Sequence, residues 1–133
     1  MANPDEVRPD GADSPMPGQL ARRYRALGAT DVRYVGKPHP LIYEQARSVL
    51  TTMGVPADAR VAAVGDSLHH DVLGACRAGI DSVLICSGVH CGELGVPQAS
   101  AVPPEPERLA ALLDAFEEEE GCAPTHVLAA FRW

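Results

Sequence analysis

The chain is 133 residues long, enough for one domain with a core of its own. Its hydrophobic share of 46% is that of an ordinary globular protein, and a net charge of −7 with few aromatics and no basic run argues against a nucleic-acid groove. No apolar stretch approaches membrane-spanning length, and the start, "MANPDEVRPDGADSP", resembles neither a signal nor a transit peptide, so a soluble, cytoplasmic protein without a membrane partner is expected.

In chain order, residues 1–17 are rich in Pro and Asp and read as a loop. "PGQLARRYRALG" follows as a helix opened by Pro17 and closed by Gly28, with Leu20, Tyr24 and Leu27 as an apolar stripe. Arg22, Arg23 and Arg25 on it read as a solvated face. "DVRYVG" is expected to be a short strand ending at Gly36. "PLIYEQARSVLTTMG" is the clearest amphipathic helix, from Pro40 to Gly54, with Leu41, Ile42, Ala46, Val49, Leu50 and Met53 on one face.

"RVAAVG" then reads as a strand buried on both faces of a parallel sheet. A helix carrying Leu68, Val72, Ala75 and Cys76 stops at Gly79, and "DSVLICSG" is a second buried strand. Val89 to Pro106 holds four prolines and reads as a loop. "EPERLAALLDAFEEEE" is a helix with Leu109, Leu112, Leu113 and Phe116 on one side. Its four terminal glutamates oppose the helix dipole and suggest a solvated, frayed end. "THVLAAFRW" fits either an edge strand or a docking tail. Helices alternating with short apolar strands are the pattern of βαβ units in a parallel sheet.

Four cysteines fall at irregular spacings. Cys76 and Cys86 look like small core residues. Cys86, His90 and Cys91 are the nearest approach to a zinc site, but without paired close ligands, free thiols in a reducing compartment are the better reading.

Sites in such sheets lie at the C-terminal ends of strands, and two motifs sit there. In "GDSLHHD", Asp66 follows a strand and Asp71 comes five residues later. Two carboxylates this close suit a hard cation such as Mg²⁺, one bound directly and one through water. Asp66 fits a helix cap equally well. His69 and His70 read as exposed helix-start residues rather than ligands. In "VGKPHP", Pro38 biases Lys37 toward extended backbone and Gly36 permits close approach. The ammonium group suits a phosphoryl oxygen or a carboxylate.

GKPxP, one amphipathic helix, then an apolar strand ending in GDxxxxD resembles motifs three and four of the haloacid dehalogenase-like (HAD) superfamily. "GKPHPLIYEQA", "VAAVGDSLHHDVLGACRAGIDSVLICSGV" and "ANPD" resemble in particular its class IIA phosphatases, and "APTHVLAAFRW" resembles the ending of one bacterial-type subgroup. The resemblance implies a Rossmann-like α/β fold, a three-layer parallel sheet that is here incomplete. Residues 1–30 would be a cap remnant with its connecting helix, and residues 31–133 the C-terminal part of the hydrolase core. It also implies a Mg²⁺-dependent phosphatase acting on small phosphorylated metabolites. Lys37 would steady the nucleophile and phosphate, Asp66 and Asp71 would serve the metal, and Asn3 and Asp5 would be remnants of a substrate-facing cap loop.

The family's nucleophile motif, DxDG after an apolar strand, is absent. Asp10 and Asp13 in "PDGADSP" have the wrong spacing, and Asp81 precedes its strand. The second-motif Ser or Thr is absent too. The chain therefore looks like a start partway through the cap, with negligible hydrolysis alone and an apolar strand edge that invites pairing. A complementing chain or a homo-oligomer would cover that edge. The alternatives are a non-catalytic phosphate- and Mg²⁺-binding or partner-docking remnant, and a different doubly wound nucleotide binder. The last lacks any GxGxxG or GxxxxGK[ST] loop.

Overall fold

The computed structural model describes residues 16–131. Their order is α1 (Pro17–Ala26), α2 (Pro40–Thr52), β1 (Ala62–Gly65), a π-helical turn (Leu68–Val72) running into α3 (Leu73–Arg77), β2 (Asp81–Ile85), α4 (Cys91–Leu94), α5 (Pro106–Glu120) and β3 (His126–Leu128). Prolines sit in the first turns of α1, α2 and α5, where a missing N–H costs nothing. Gly28, Gly54, Gly79 and Gly121 follow their helices with positive φ, the conformation that ends a helix most readily in glycine.

The three strands form one parallel sheet in the order β1-β2-β3. Val64 lies beside Val83, and Leu84 beside Val127. Side chains alternate across a strand, so Leu84 and Val127 share one face while Val64, Val83 and Ile85 share the other. The first face is the core. There Leu84 packs with Leu68, Val72, Leu73, Phe116 and Cys122, and Cys86 packs with Leu94 and Val96. The expected α/β parallel sheet is therefore present, with α3, α4 and α5 contributing to the core on this face.

The other face is apolar but open. Val64 is 47% exposed and Leu128 46%, and the outer edge of β1 has no strand beside it among the described residues. The sequence marks β1 as buried on both sides, but half of that burial is not provided by the described residues. The same holds for α1 and α2. Leu20, Tyr24 and Leu27 are exposed, as are Leu41, Ile42, Val49 and Met53, and α1 buries Gly18 and Ala21 instead. Both amphipathic stripes are real, but nothing among the described residues covers them.

Four local expectations need correction. Residues 31–36 form no strand, because they meet no partner strand to complete a ladder. They are held by stacking: the Arg25 guanidinium sits 5.3 Å from the Tyr34 ring centre, and Tyr34 stacks on His39 at 5.1 Å. The loop after β2 contains α4, whose Leu94 is buried against Cys86. The end of α5 does not fray: the helix runs to Glu120, whose carboxylate lies 3.6 Å from Arg77. Cys76 is exposed rather than in the core.

Leu84→Ala is expected to destabilise the fold by about 3 kcal/mol, because it opens a cavity in the main cluster. Met53→Ala, at a position 74% exposed, is expected to stay within about 0.5 kcal/mol. Urea unfolding of both variants measures the contrast.

Candidate active site

Two loops and one helical turn meet at the C-terminal ends of β1 and β2. Residues 36–39 form a turn closed by the His39 N–H donating to the Gly36 carbonyl at 3.0 Å. The Lys37–Pro38 peptide bond is cis. The turn delivers Lys37 to the end of β1, where its ammonium group pairs with Asp71 Oδ1. The lysine side chain is 53% exposed and the aspartate 7%. The pair thus has a wet end and a dry end, so the lysine can meet a solute while still anchored.

Asp71 is doubly held, because its Oδ2 accepts the Ser67 N–H at 3.1 Å. That bond satisfies one of the donors left free where a helix begins. Asp71 packs so tightly over Gly65 that any Cβ there would overlap its carboxyl group. Asp66 is held in the same way from the other side. The Val89 N–H donates to its Oδ2 at 3.0 Å, and a Cβ on Gly88 would overlap its carboxyl group. Glycine at 65 and 88 is therefore a steric requirement of the two aspartates. Asp66 and Ser87 border a cleft of about 460 Å³ whose walls include Val64, Ile85 and Phe131.

Tyr43 closes the back of the site. Its ring lies against Gly74, where a Cβ would strike the phenol, and its hydroxyl donates to the His70 carbonyl at 3.4 Å. Burial, and then the negative charge of Asp71, pushes the Tyr43 hydroxyl above its ordinary pKa. His69 is exposed and meets Phe116 edge-on at 5.4 Å. His70 is half-buried, with Nδ1 3.1 Å from the Ser67 hydroxyl.

The structure thus brings Lys37, Asp66 and Asp71 together. Asn3 and Asp5 lie outside the described residues. Sequence reasoning missed Tyr43, the Val89 N–H and the steric roles of Gly65 and Gly88. The glycines had a signal, since Gly65 ends the β1 stretch and Gly88 comes shortly after the β2 stretch. A backbone donor has none.

A hard cation would find one open oxygen here. Asp66 Oδ1 has no protein partner among the described residues, whereas both oxygens of Asp71 are occupied by Lys37 and Ser67. No group of three His, Cys, Asp or Glu side chains among the described residues could hold a metal. That excludes a closed cage, including one at Cys86, His90 and Cys91. The open Asp66 oxygen is the kind of donor that suits Mg²⁺, which keeps several waters and takes one or two carboxylates together with substrate oxygens.

Because the Asp71 charge contributes to the raised Tyr43 pKa, Asp71→Asn is expected to lower it without returning it to the ordinary value, since burial is the larger cause. An NMR pH titration of the Tyr43 ring in both proteins checks the direction.

Comparison with known proteins agrees with this site. Residues 34–131 match the HAD-hydrolase-like family model. The chain is 33% identical over 88 residues to a dihydroxyacetone phosphatase of Corynebacterium glutamicum, a match covering 65% of this chain and 30% of that protein. It is 35% identical over 75 residues to the ribonucleotide monophosphatase NagD of Escherichia coli, covering 56% of this chain and 28% of that one. The p-nitrophenyl phosphatase of Archaeoglobus fulgidus superposes with a TM-score of 0.61 at 27% identity, over 96% of this chain and 41% of its own. The chain thus spans less than half the length of these relatives and corresponds to their C-terminal portion. No helix among the described residues is long and apolar enough to cross a membrane. With Lys37, Asp66 and Asp71 at the strand ends and a family match over most of its length, this chain belongs to the HAD-hydrolase-like family and is similar to its class IIA phosphatases.

Proposed function

We propose that the chain carries the lysine and magnesium side of a phosphatase site for small phosphate monoesters, and that it turns over substrate only when another polypeptide segment brings the nucleophile. The observation that carries this reading is the half-exposed Lys37 ammonium anchored on buried Asp71, beside the open oxygen of Asp66. The relatives' names, a dihydroxyacetone phosphatase and a ribonucleotide monophosphatase, describe those proteins. What they support here is the class, a small phosphorylated metabolite.

Phosphoryl transfer needs positioning and neutralisation of charge on the phosphoryl oxygens. Lys37 supplies one fixed positive charge. Asp66 would hold Mg²⁺ directly, and Asp71 would orient Lys37 and reach the metal's water shell. The bound metal would supply a second positive charge against the phosphate. No aspartate in the sequence stands at the end of an apolar strand in a DxD pair, so the attacking carboxylate must come from elsewhere. The open edge of β1 suits a strand from a complementing chain or a second copy. A cytoplasmic setting, in which the four free cysteines stay reduced, agrees with this role.

The second reading is a non-catalytic phosphate- and Mg²⁺-binding remnant, favoured by the missing nucleophile. Hydrolysis of 4-nitrophenyl phosphate with Mg²⁺ tests the first. The chain alone is expected to show no turnover above that of its Lys37→Ala and Asp66→Asn variants. A chimera in which the preceding portion of the Corynebacterium phosphatase is joined to this chain is expected to turn over, and to lose turnover with either substitution. Turnover by the chain alone that both substitutions abolish would contradict the missing-nucleophile argument. A folded but inactive chimera would favour the binding remnant.

A further inference from the structure

The loop after β2 touches the Asp66 turn at two points. Val89 donates its N–H to Asp66. The next residue, His90, accepts the Leu68 N–H on Nε2 at 3.2 Å. Leu68 opens the π-helical turn, so its N–H is one of the donors that a helix start leaves without an internal partner. The Ser67 side chain, at the N-cap position, makes no capping hydrogen bond. The cap comes instead from the neighbouring loop, across 22 residues of sequence.

The second ring nitrogen fixes the first. His90 Nδ1 lies 2.8 Å from Glu93 Oε2, one turn along in α4. A backbone N–H can only donate, so Nε2 must be the unprotonated acceptor. Nδ1 then carries the proton and donates it to Glu93. Glu93 thereby selects the tautomer that can cap Leu68. The His90 side chain is only 13% exposed while that of Glu93 is 65% exposed, so the bond to Leu68 is the better shielded of the two. Both nitrogens are engaged, which makes the ring a poor metal ligand and a good strut.

The two contacts act on the two ends of one short segment. Asp66 is gripped at its carboxylate and Leu68 at its amide, by consecutive residues of one loop. If either grip were lost, the segment could rotate about the other, and the free oxygen of Asp66 would turn with it.

We propose that His90, held in one tautomer by Glu93, is a positioning residue that fixes the direction of the Asp66 carboxylate. The consequence for the metal rests on the function proposed above; the consequence for the geometry does not. Leucine at this position removes the acceptor. Glutamine keeps one at similar reach, through its side-chain oxygen.

The test uses the full chain and the variants His90→Leu, His90→Gln and Glu93→Leu, with amide hydrogen exchange read by NMR without metal. In His90→Leu, exchange at Leu68 and also at Val89 is expected to rise about fivefold, the factor that one ordinary hydrogen bond corresponds to. The β2 amides should stay unchanged and His90→Gln should restore both sites. Glu93→Leu, which removes the acceptor for the Nδ1 proton, is expected to weaken the preference for the Nδ1-protonated tautomer, seen in the His90 ring nitrogen shifts; an unchanged tautomer would overturn the part assigned to Glu93. Faster exchange at Leu68 alone would overturn the proposal, because the bond would then be only a local stitch. Faster exchange throughout β2, or failure of glutamine to rescue, would also overturn it, since His90 would then act as general support. Separately, Mg²⁺ titration is expected to show about tenfold weaker binding in His90→Leu, as for other residues that orient a metal ligand. No Mg²⁺ binding by the unaltered chain would count against the proposed metal role of Asp66, and the exchange result would still decide the positioning role of His90.

Discussion

The ion pair between Lys37 and Asp71 is the contact on which the site depends. Asp71 is withdrawn from water at the start of a helical turn, where an unpaired carboxylate would be costly. Lys37 relieves that cost from a loop 34 residues earlier. The pair therefore ties the turn at residues 36–39 to the end of β1, although no strand joins them. Because the lysine is half-exposed, its net worth lies between that of a surface and a buried pair, about 1–2 kcal/mol. Its chemical value is larger than its structural one, for it holds a positive charge in place at the mouth of the sheet.

Around this pair, the carboxylates are set by backbone rather than by other side chains. Ser67 and Val89 each contribute an N–H, and Gly65 and Gly88 contribute the absence of a side chain. Such a site is stiff, because its donors belong to strand ends and a helical turn that pack on the core through Leu68 and Leu84. The arrangement also divides labour between the aspartates. Each Asp71 oxygen has a partner within the protein, while one Asp66 oxygen has none among the described residues.

Much of this was legible beforehand. The two motifs marked Lys37, Asp66 and Asp71, and the periodic apolar residues and flanking Pro and Gly located the helices. The misreadings share a cause. Residues 31–36 have the alternation of a strand but no neighbour to pair with, and pairing is a tertiary fact that local pattern cannot reveal. The apolar stripes of α1 and α2 were read correctly as stripes, but a stripe does not say what covers it. Leu94 and Val96 were hidden in a proline-rich stretch, where a single helical turn leaves too short a period to detect. The partners of His90, a carboxylate and a backbone amide, left no mark in the sequence, because both contacts depend on the folded loop.

The open face of the sheet, with Val64 and Leu128, lies on the same side as the cleft walls Val64 and Ile85. The described residues thus form one side of a site and a surface on which the other side could assemble. What they must do by themselves is present a charge and an open carboxylate oxygen. Titrating the chain with Mg²⁺ while recording its amide NMR spectrum tests this most directly. Saturable shifts are expected, largest at Asp66, Ser67 and Val89, smaller at Lys37, and absent after Asp66→Asn. Shifts centred elsewhere, or shifts that persist in that variant, would contradict it.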